Sequence, residues 1–328
     1  MTHQDSQNIC ESVFSADTRW IWYPEKRFLP NTFVFFRTLC ELSRAHALST
    51  AKGWIFADAR YRLWINGVFV QRGPAPFDPR HPMADPVDLA PYLREGTNVF
   101  AVEVLHLRPE TTHIPAQPGF IAEFAICTDN EPFRICTNSH WRCLRPRAWP
   151  SGCYDRSFLR GLQEQFDARF YPSGWQQPDY AAAGWQHAME YSVPHTRPLI
   201  CGDFNRYRIP AAWPHTGEAP ETDWCIEKRD IPLLREERIA ASKAVKAGFV
   251  TCSVAFEEYF ETADHETLRE TVSAQAMESA DGTELFPLTL YPAPKAATVV
   301  TFEFPEEIVG YPYIRIEAGE GTVVELLF

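Results

Sequence analysis

Short apolar stretches separated by turn-forming pairs dominate the first hundred residues. Thr32 to Cys40 (TFVFFRTLC) is dense in β-branched and aromatic residues, Ala45 to Ala59 follows, and YRLWINGVFV runs from Tyr61 to Val70. In the last stretch Tyr61, Leu63 and Ile65 alternate with Arg62, Trp64 and Asn66, the period of a strand with one buried face. Asn66-Gly67 supplies two residues that tolerate positive φ, so this stretch predicts a hairpin with a type I′ turn. Val99 to Leu107 and Gly119 to Cys127 read as two further strands, and Glu95 to Asn98 as a turn. Strands, turns and strands with little helical period predict an antiparallel β-sandwich.

Beyond Asn138 the texture changes. Trp141, Trp149, Trp175 and Trp185 are spread among turns, and a Pro-rich passage runs from His195 to Pro220. Phe249 to Phe260, Thr298 to Phe304, Tyr313 to Glu317 and Thr322 to Phe328 are predicted strands. Asp264 to Met277 is compatible with one short helix capped by Asp264 or with two strands. The expected organisation is a mobile lead-in over 1–14, a first sandwich with a Trp-rich extension over 15–195, a connector over 196–220, and a second β-sandwich over 221–328. The fold class expected is all-β, with tandem antiparallel sandwiches.

Composition narrows the chemistry. Of 328 residues, 31 are Lys or Arg and 43 are Asp or Glu, a formal charge of −12. Such a balance repels phosphate backbones, so no nucleic-acid partner is expected. The N-terminal residues lack an apolar signal region, and no run of about 18 apolar residues occurs, so neither export nor a membrane span is expected, and the location expected is cytoplasmic. Nine cysteines occur without a CxxC pair. Cys127, Cys136, Cys143 and Cys153 are nine, seven and ten residues apart, which suits neither structural zinc nor a secreted disulfide framework. A reduced chain without metal or cofactor is expected. His106 and His113, seven apart, are too widely spaced for a convincing metal pair.

No nucleophile elbow, phosphate loop, dinucleotide fingerprint or zinc-protease motif is present. The adjacent carboxylates Glu257-Glu258 and Glu306-Glu307 would point to opposite faces of a strand. Asp167 and Arg169 fall two apart, on one side of an extended segment; they can pair with each other or clamp sugar hydroxyls. Trp54, Trp64, Trp175 and Trp185 are candidate stacking faces for a pyranose, weighed against core packing. A loop from Arg72 to Pro86 carries Arg72, Asp78, Arg80, His81 and Asp85, hydrogen-bonding groups suited to a weak sugar site at a sandwich end.

Three segments carry a family resemblance. FADARYRLWINGVFVQRGP followed by DPVDLAPYLREGTNVFAVEV, then QFDARFYPSGWQQPDYAAAGWQHA, then TFEFPEEIVGYPYIRIEAGEGTVVELLF occur in this order. Together they resemble the N-terminal, non-catalytic portion of bacterial α-L-rhamnosidases of glycoside hydrolase family 78. The first is similar to the galactose-binding-like jelly roll of that family, shared with family 2 β-galactosidase relatives. In the second, Phe166 stands where the family has Tyr; in the third, similar to a concanavalin-like sandwich, Pro305 stands where Gly is frequent.

The resemblance implies an accessory carbohydrate-binding and scaffold region that packs against a catalytic (α/α)6 barrel absent from this chain. No catalytic residue is carried over. The carbohydrate implied is a rhamnose- or galactose-containing glycan. The alternative is a stand-alone carbohydrate-binding or interaction protein without hydrolase activity.

Overall fold

The computed structural model describes residues 12–25, 29, 31–43, 48–77, 82–107, 118–128, 132–151, 164–191, 225–251, 290, 296–324 and 326. The chain divides into two compact units, Met1–Leu233 and Leu234–Phe328. Both are built from strands among the described residues, an all-β architecture.

The strands of the first unit are β1 (Trp20–Trp22), β2 (Thr32–Leu42), β3 (Leu48–Asp58), β4 (Arg60–Ile65), β5 (Val68–Gly73), β6 (Met83–Asp88), β7 (Gly96–His106), β8 (Gly119–Thr128), β9 (Pro132–Cys136), β10 (Arg142–Leu144), β11 (Gln186–His187), β12 (Met189–Tyr191) and β13 (Glu227–Lys228). One sheet has the order β12-β1-β8-β3-β6-β13, with β9 also on β8; the other has the order β11-β10-β2-β7-β4-β5. Pairing is antiparallel except for β13, which lies parallel to β6.

Alternation along the strands sorts side chains into three apolar layers. Val34 and Phe36 of β2, Phe100, Val102 and Val104 of β7, and Ile55, Phe120 and Phe124 of the opposite sheet form the central core. The intervening residues face outward, yet they are buried too. Phe14, Trp20, Phe56, Ile121 and Ile226 cluster on the outer face of the first sheet. Phe35, Val99, Ala101, Trp175 and Trp185 cluster on the outer face of the second. Covering both faces explains why Thr32 to Arg37 are six consecutive buried residues, a pattern of strands without a solvated side. Each fully buried aromatic or large aliphatic side chain contributes about 1.5–3 kcal/mol.

The Asn-Gly hairpin forms as predicted. Ile65 pairs with Val68, and Asn66 and Gly67 have φ of 53° and 79°. The Asn66 amide fixes the turn: its Nδ2 donates to Tyr92 O and to Asn98 Oδ1, and its Oδ1 accepts from Val99 N. Gly67→Val is expected to destabilise the unit by about 1 kcal/mol or more, because a β-branched residue resists positive φ. Thermal melting checks this; an unchanged midpoint contradicts it.

In the second unit β14 (Lys243–Thr251) and β15 (Ala296–Glu303) form an antiparallel ladder. β14 takes up the front of the stretch predicted from Phe249, and β15 matches the run at Thr298. Two expectations differ. Tyr313 to Glu317 forms no ladder, and neither do the described residues between Thr322 and Leu326. Tyr313, Ile314 and Ile316 are exposed. A strand is defined by its neighbour's hydrogen bonds, and none pairs with these residues among those described. The Asp264 to Met277 stretch and Glu257-Glu258 lie outside the described residues.

Candidate functional site

The loop read as Arg72 to Pro86 is shorter than expected, because β5 continues through Arg72 and Gly73 and β6 begins at Met83. Asp78, Arg80 and His81 lie outside the described residues. Asp85 is fully buried and closed to a sugar. Its Oδ2 accepts from the Tyr61 hydroxyl at 2.6 Å, and its Oδ1 accepts from Arg229 Nη1 at 2.6 Å. Gln71 Nε2 donates to the same Tyr61 oxygen at 2.8 Å. The backbone passes so close at Gly73 that a Cβ there would overlap the Asp85 carboxylate. Burial pushes the Asp85 carboxyl above its ordinary value, although Tyr61 and Arg229 both oppose that rise. The residue is a tether between β6 and the segment after β13.

Arg72 belongs to a different surface. On the outer face of the second sheet it lies across from Arg62, and Arg62 lies across from Glu103. Arg62 Nη1 is 3.3 Å from Glu103 Oε1. Glu103 alternates with Val102 and Val104 of the central core, so its carboxyl points outward, beside Phe35. It is nevertheless buried, at 6% exposure. Burial, reinforced by Glu164, pushes its carboxyl up to about 7, with Arg62 opposing. Glu164 accepts from Trp149 Nε1 at 2.8 Å. The Tyr171 hydroxyl accepts from Trp175 Nε1 at 3.0 Å and from Gln176 Nε2 at 3.2 Å. Glu103, Arg62, Glu164 and Tyr171 therefore share one electrostatic neighbourhood. Sequence reasoning passed over Glu103. The available signal was a single charge inside VFAVEVLH, an otherwise apolar strand.

The segment covering this face carries Asp167 and Arg169. They bind each other: Arg169 Nε and Nη2 donate to the Asp167 carboxylate, at 2.9 and 2.6 Å for the shorter bonds. Asp167 also caps the turn at Ala168–Phe170 by accepting from Arg169 N. These hydrogen bonds from Arg169 hold the Asp167 carboxyl below its ordinary value. Phe166 and Phe170 flank the pair as exposed rings, and the Arg147 guanidinium lies 4.5 Å from the Phe170 centroid.

The tryptophans mostly pack. Trp175 stacks on Phe35 at 4.2 Å and 8° and is fully buried, as Trp185 nearly is. Trp64 meets Trp175 edge-on at 5.6 Å. Trp54 is half-buried, with Lys228 Nζ 5.8 Å from its centroid.

No three His, Cys, Asp or Glu side chains converge as metal ligands among the described residues. His106 is buried on β7, and His113 lies outside the described residues. One cysteine departs from the reduced chain expected. Cys40, Cys127, Cys136 and Cys143 are free thiols, but Cys225 is disulfide-bonded. Disulfide formation depends on two Cα atoms approaching within about 4.4–6.8 Å, which spacing in sequence does not reveal. No helix among the described residues is long and apolar enough to cross a membrane.

Residues 46–200 match the α-L-rhamnosidase N-terminal domain. No curated protein matches the chain. The family 78 rhamnosidase of Bacillus sp. GL1 aligns with a TM-score of 0.57 and 27% identity, over 72% of this chain and 22% of that one. The α-L-rhamnosidase of Aspergillus terreus aligns with a TM-score of 0.49 and 17% identity, over 73% of this chain and 29% of that one. The chain thus spans less than a third of either enzyme. In sequence and in fold it is similar to the N-terminal region of the α-L-rhamnosidases of glycoside hydrolase family 78.

Proposed function

We propose that this chain is an accessory carbohydrate-binding and scaffold region of an α-L-rhamnosidase-like glycoside hydrolase. The observation that carries this reading is the match of residues 46–200 to the α-L-rhamnosidase N-terminal domain, together with the 27% identical Bacillus rhamnosidase. The physical character of the first unit agrees with it. Two sheets with both outer faces covered make a rigid frame, and such frames place variable chemistry on their loops. The chain packs against a catalytic domain of the same enzyme.

Hydrolysis by inversion needs an acid and a base about 6.5–9.5 Å apart around a water. The one carboxyl raised to near neutrality among the described residues, Glu103, is buried and faces Arg62, which suits structure better than turnover. Bound glycan meets Asp78, Arg80 and His81, which fall between β5 and β6 in sequence, or Arg72 on the outer face of the second sheet, or Asp167 and Arg169 beside Phe166. A neutral sugar exchanges water hydrogen bonds for protein ones, at a net gain of about 0.5–1.5 kcal/mol each. Affinity is then on the order of 0.1–10 mM.

Titrating rhamnose and galactose into labelled protein tests this. Amide shifts confined to 70–83 or 164–172 are expected. No shift at about 50 mM, well above that range, overturns binding. Incubation with an aryl rhamnoside is expected to yield no turnover above the uncatalysed rate. Turnover abolished by a point mutation in this chain overturns the accessory role.

A further inference from the structure

Residues 164–185 cover the outer face of the second sheet without a strand or long helix of their own, through the short helical turn at Ala168–Phe170 and a series of hydrogen-bonded turns. Their attachment is by side chains. Trp175 stacks on Phe35, and Arg37 donates to Tyr180 O at 2.6 Å and to Gln177 O at 3.0 Å. A backbone bond from Asp167 N to Ala148 O at 2.8 Å holds the near end. On the same face, across from Phe35, lies a buried carboxyl, Glu103.

The groups around Glu103 come from several elements. From β4 comes Arg62, at 3.3 Å, itself half-exposed. From β5 comes Arg72, the cross-strand neighbour of Arg62. β2 offers the apolar Phe35. The cover contributes a second carboxylate, Glu164, and the neutral phenol of Tyr171; its Asp167 and Arg169 are occupied with each other. Glu103 is thus a buried carboxyl beside a half-exposed guanidinium, with a second carboxyl, Glu164, close enough to raise it.

We propose that Glu103, with Glu164 and Arg62, is a pH-sensitive catch that holds residues 164–185 against the sheet when Glu103 is protonated and loosens them when it ionises. An ionised carboxylate under the cover, beside the Glu164 charge, must draw in water, and that weakens the stacked junction. The sign follows from linkage. Burial holds the closed-state carboxyl near 7, against 4.5 for an ordinary one. The closed cover therefore binds the proton more tightly than the open one. Closure is strongest below about pH 4.5, weakens as pH rises to about 7, and levels off above that.

Hydrogen exchange read by mass spectrometry on the whole chain tests the catch at pH 5 and pH 8, after correction for intrinsic rates. Protection of peptides spanning 164–185 is expected to fall at least about tenfold between the two. Peptides from β7 and β8 are expected to hold theirs. In Glu103→Gln the fall disappears. If that variant does not fold, Glu164→Gln serves: it removes the neighbouring charge that raises Glu103, so the midpoint moves to lower pH. An unchanged midpoint in Glu164→Gln, the same fall in Glu103→Gln, or no fall in the natural chain overturns the proposal.

Discussion

Arg229→Met is expected to destabilise the first unit by about 3–5 kcal/mol, the range for removing one partner of a buried ion pair. The Arg229 side chain is 3% exposed and that of Asp85 0%. Its three bonding nitrogens are all used: Nη1 on Asp85, Nε on Ile231 O at 2.9 Å and Nη2 on Pro232 O at 2.6 Å. Its backbone N–H donates to Ala84 O at 3.0 Å, continuing the parallel pairing of β13. Methionine fills similar volume but leaves the Asp85 carboxylate with Tyr61 alone. The folded protein then takes up a proton on Asp85, whose carboxyl already lies above its ordinary value through burial.

The loss therefore has a pH signature. A carboxyl raised by folding gives stability that is complete at low pH and declines as pH rises through the folded value. Denaturant unfolding of Arg229→Met should show a larger deficit at pH 8 than at pH 5. Adding Asp85→Asn, which keeps an acceptor for Tyr61 and removes the stranded charge, should restore part of the loss. A deficit under about 1 kcal/mol, the worth of an exposed pair, at both pH values contradicts the tether.

How much of this could be read from the chain depends on whether the cause is local. The hairpin at Asn66-Gly67 is local: two residues that accept positive φ between alternating runs, and the structure forms it. β4 is legible for the same reason, since Tyr61, Leu63 and Ile65 face one core. β2 is legible as a strand but not by face, because Phe33, Val34, Phe35 and Phe36 are buried on both sides. Only the covering segment, more than a hundred residues later, decides which layer each joins. Asp85 reads as a polar loop residue because its partner, Arg229, is 144 residues away and sits after a two-residue strand. No periodicity exists in two residues. Tyr313 to Glu317 errs in the opposite direction: strong β propensity, but no neighbouring strand to pair with among the described residues. β propensity describes how a residue fits a pleated surface and does not supply the surface.

Trp175→Ala is expected to lower stability by about 3–5 kcal/mol, the range for truncating a buried aromatic to alanine. The ring is wholly buried, stacked on Phe35, edge-on to Trp64 and 6.0 Å from Trp185. Its Nε1–H donates to the Tyr171 hydroxyl at 3.0 Å, so truncation also withdraws a donor from a half-buried phenol. The void opens at the centre of the cover, where neighbouring rings are fixed by their own stacking and cannot close it. Phe166→Ala is the companion variant. That ring is 41% exposed and touches Trp149 at a 4.8 Å centroid distance, so its loss should cost less than about 1 kcal/mol. A tryptophan acting as a sugar platform would give the reverse of the Trp175 result: a nearly unchanged melting midpoint and a weakened sugar titration. Equal melting midpoints for Trp175→Ala and the natural chain would therefore return Trp175 to the list of ligand faces. A deep loss in Trp175→Ala beside a shallow one in Phe166→Ala places the aromatic content of residues 164–185 in packing, with the exposed edge around Phe166 left for recognition.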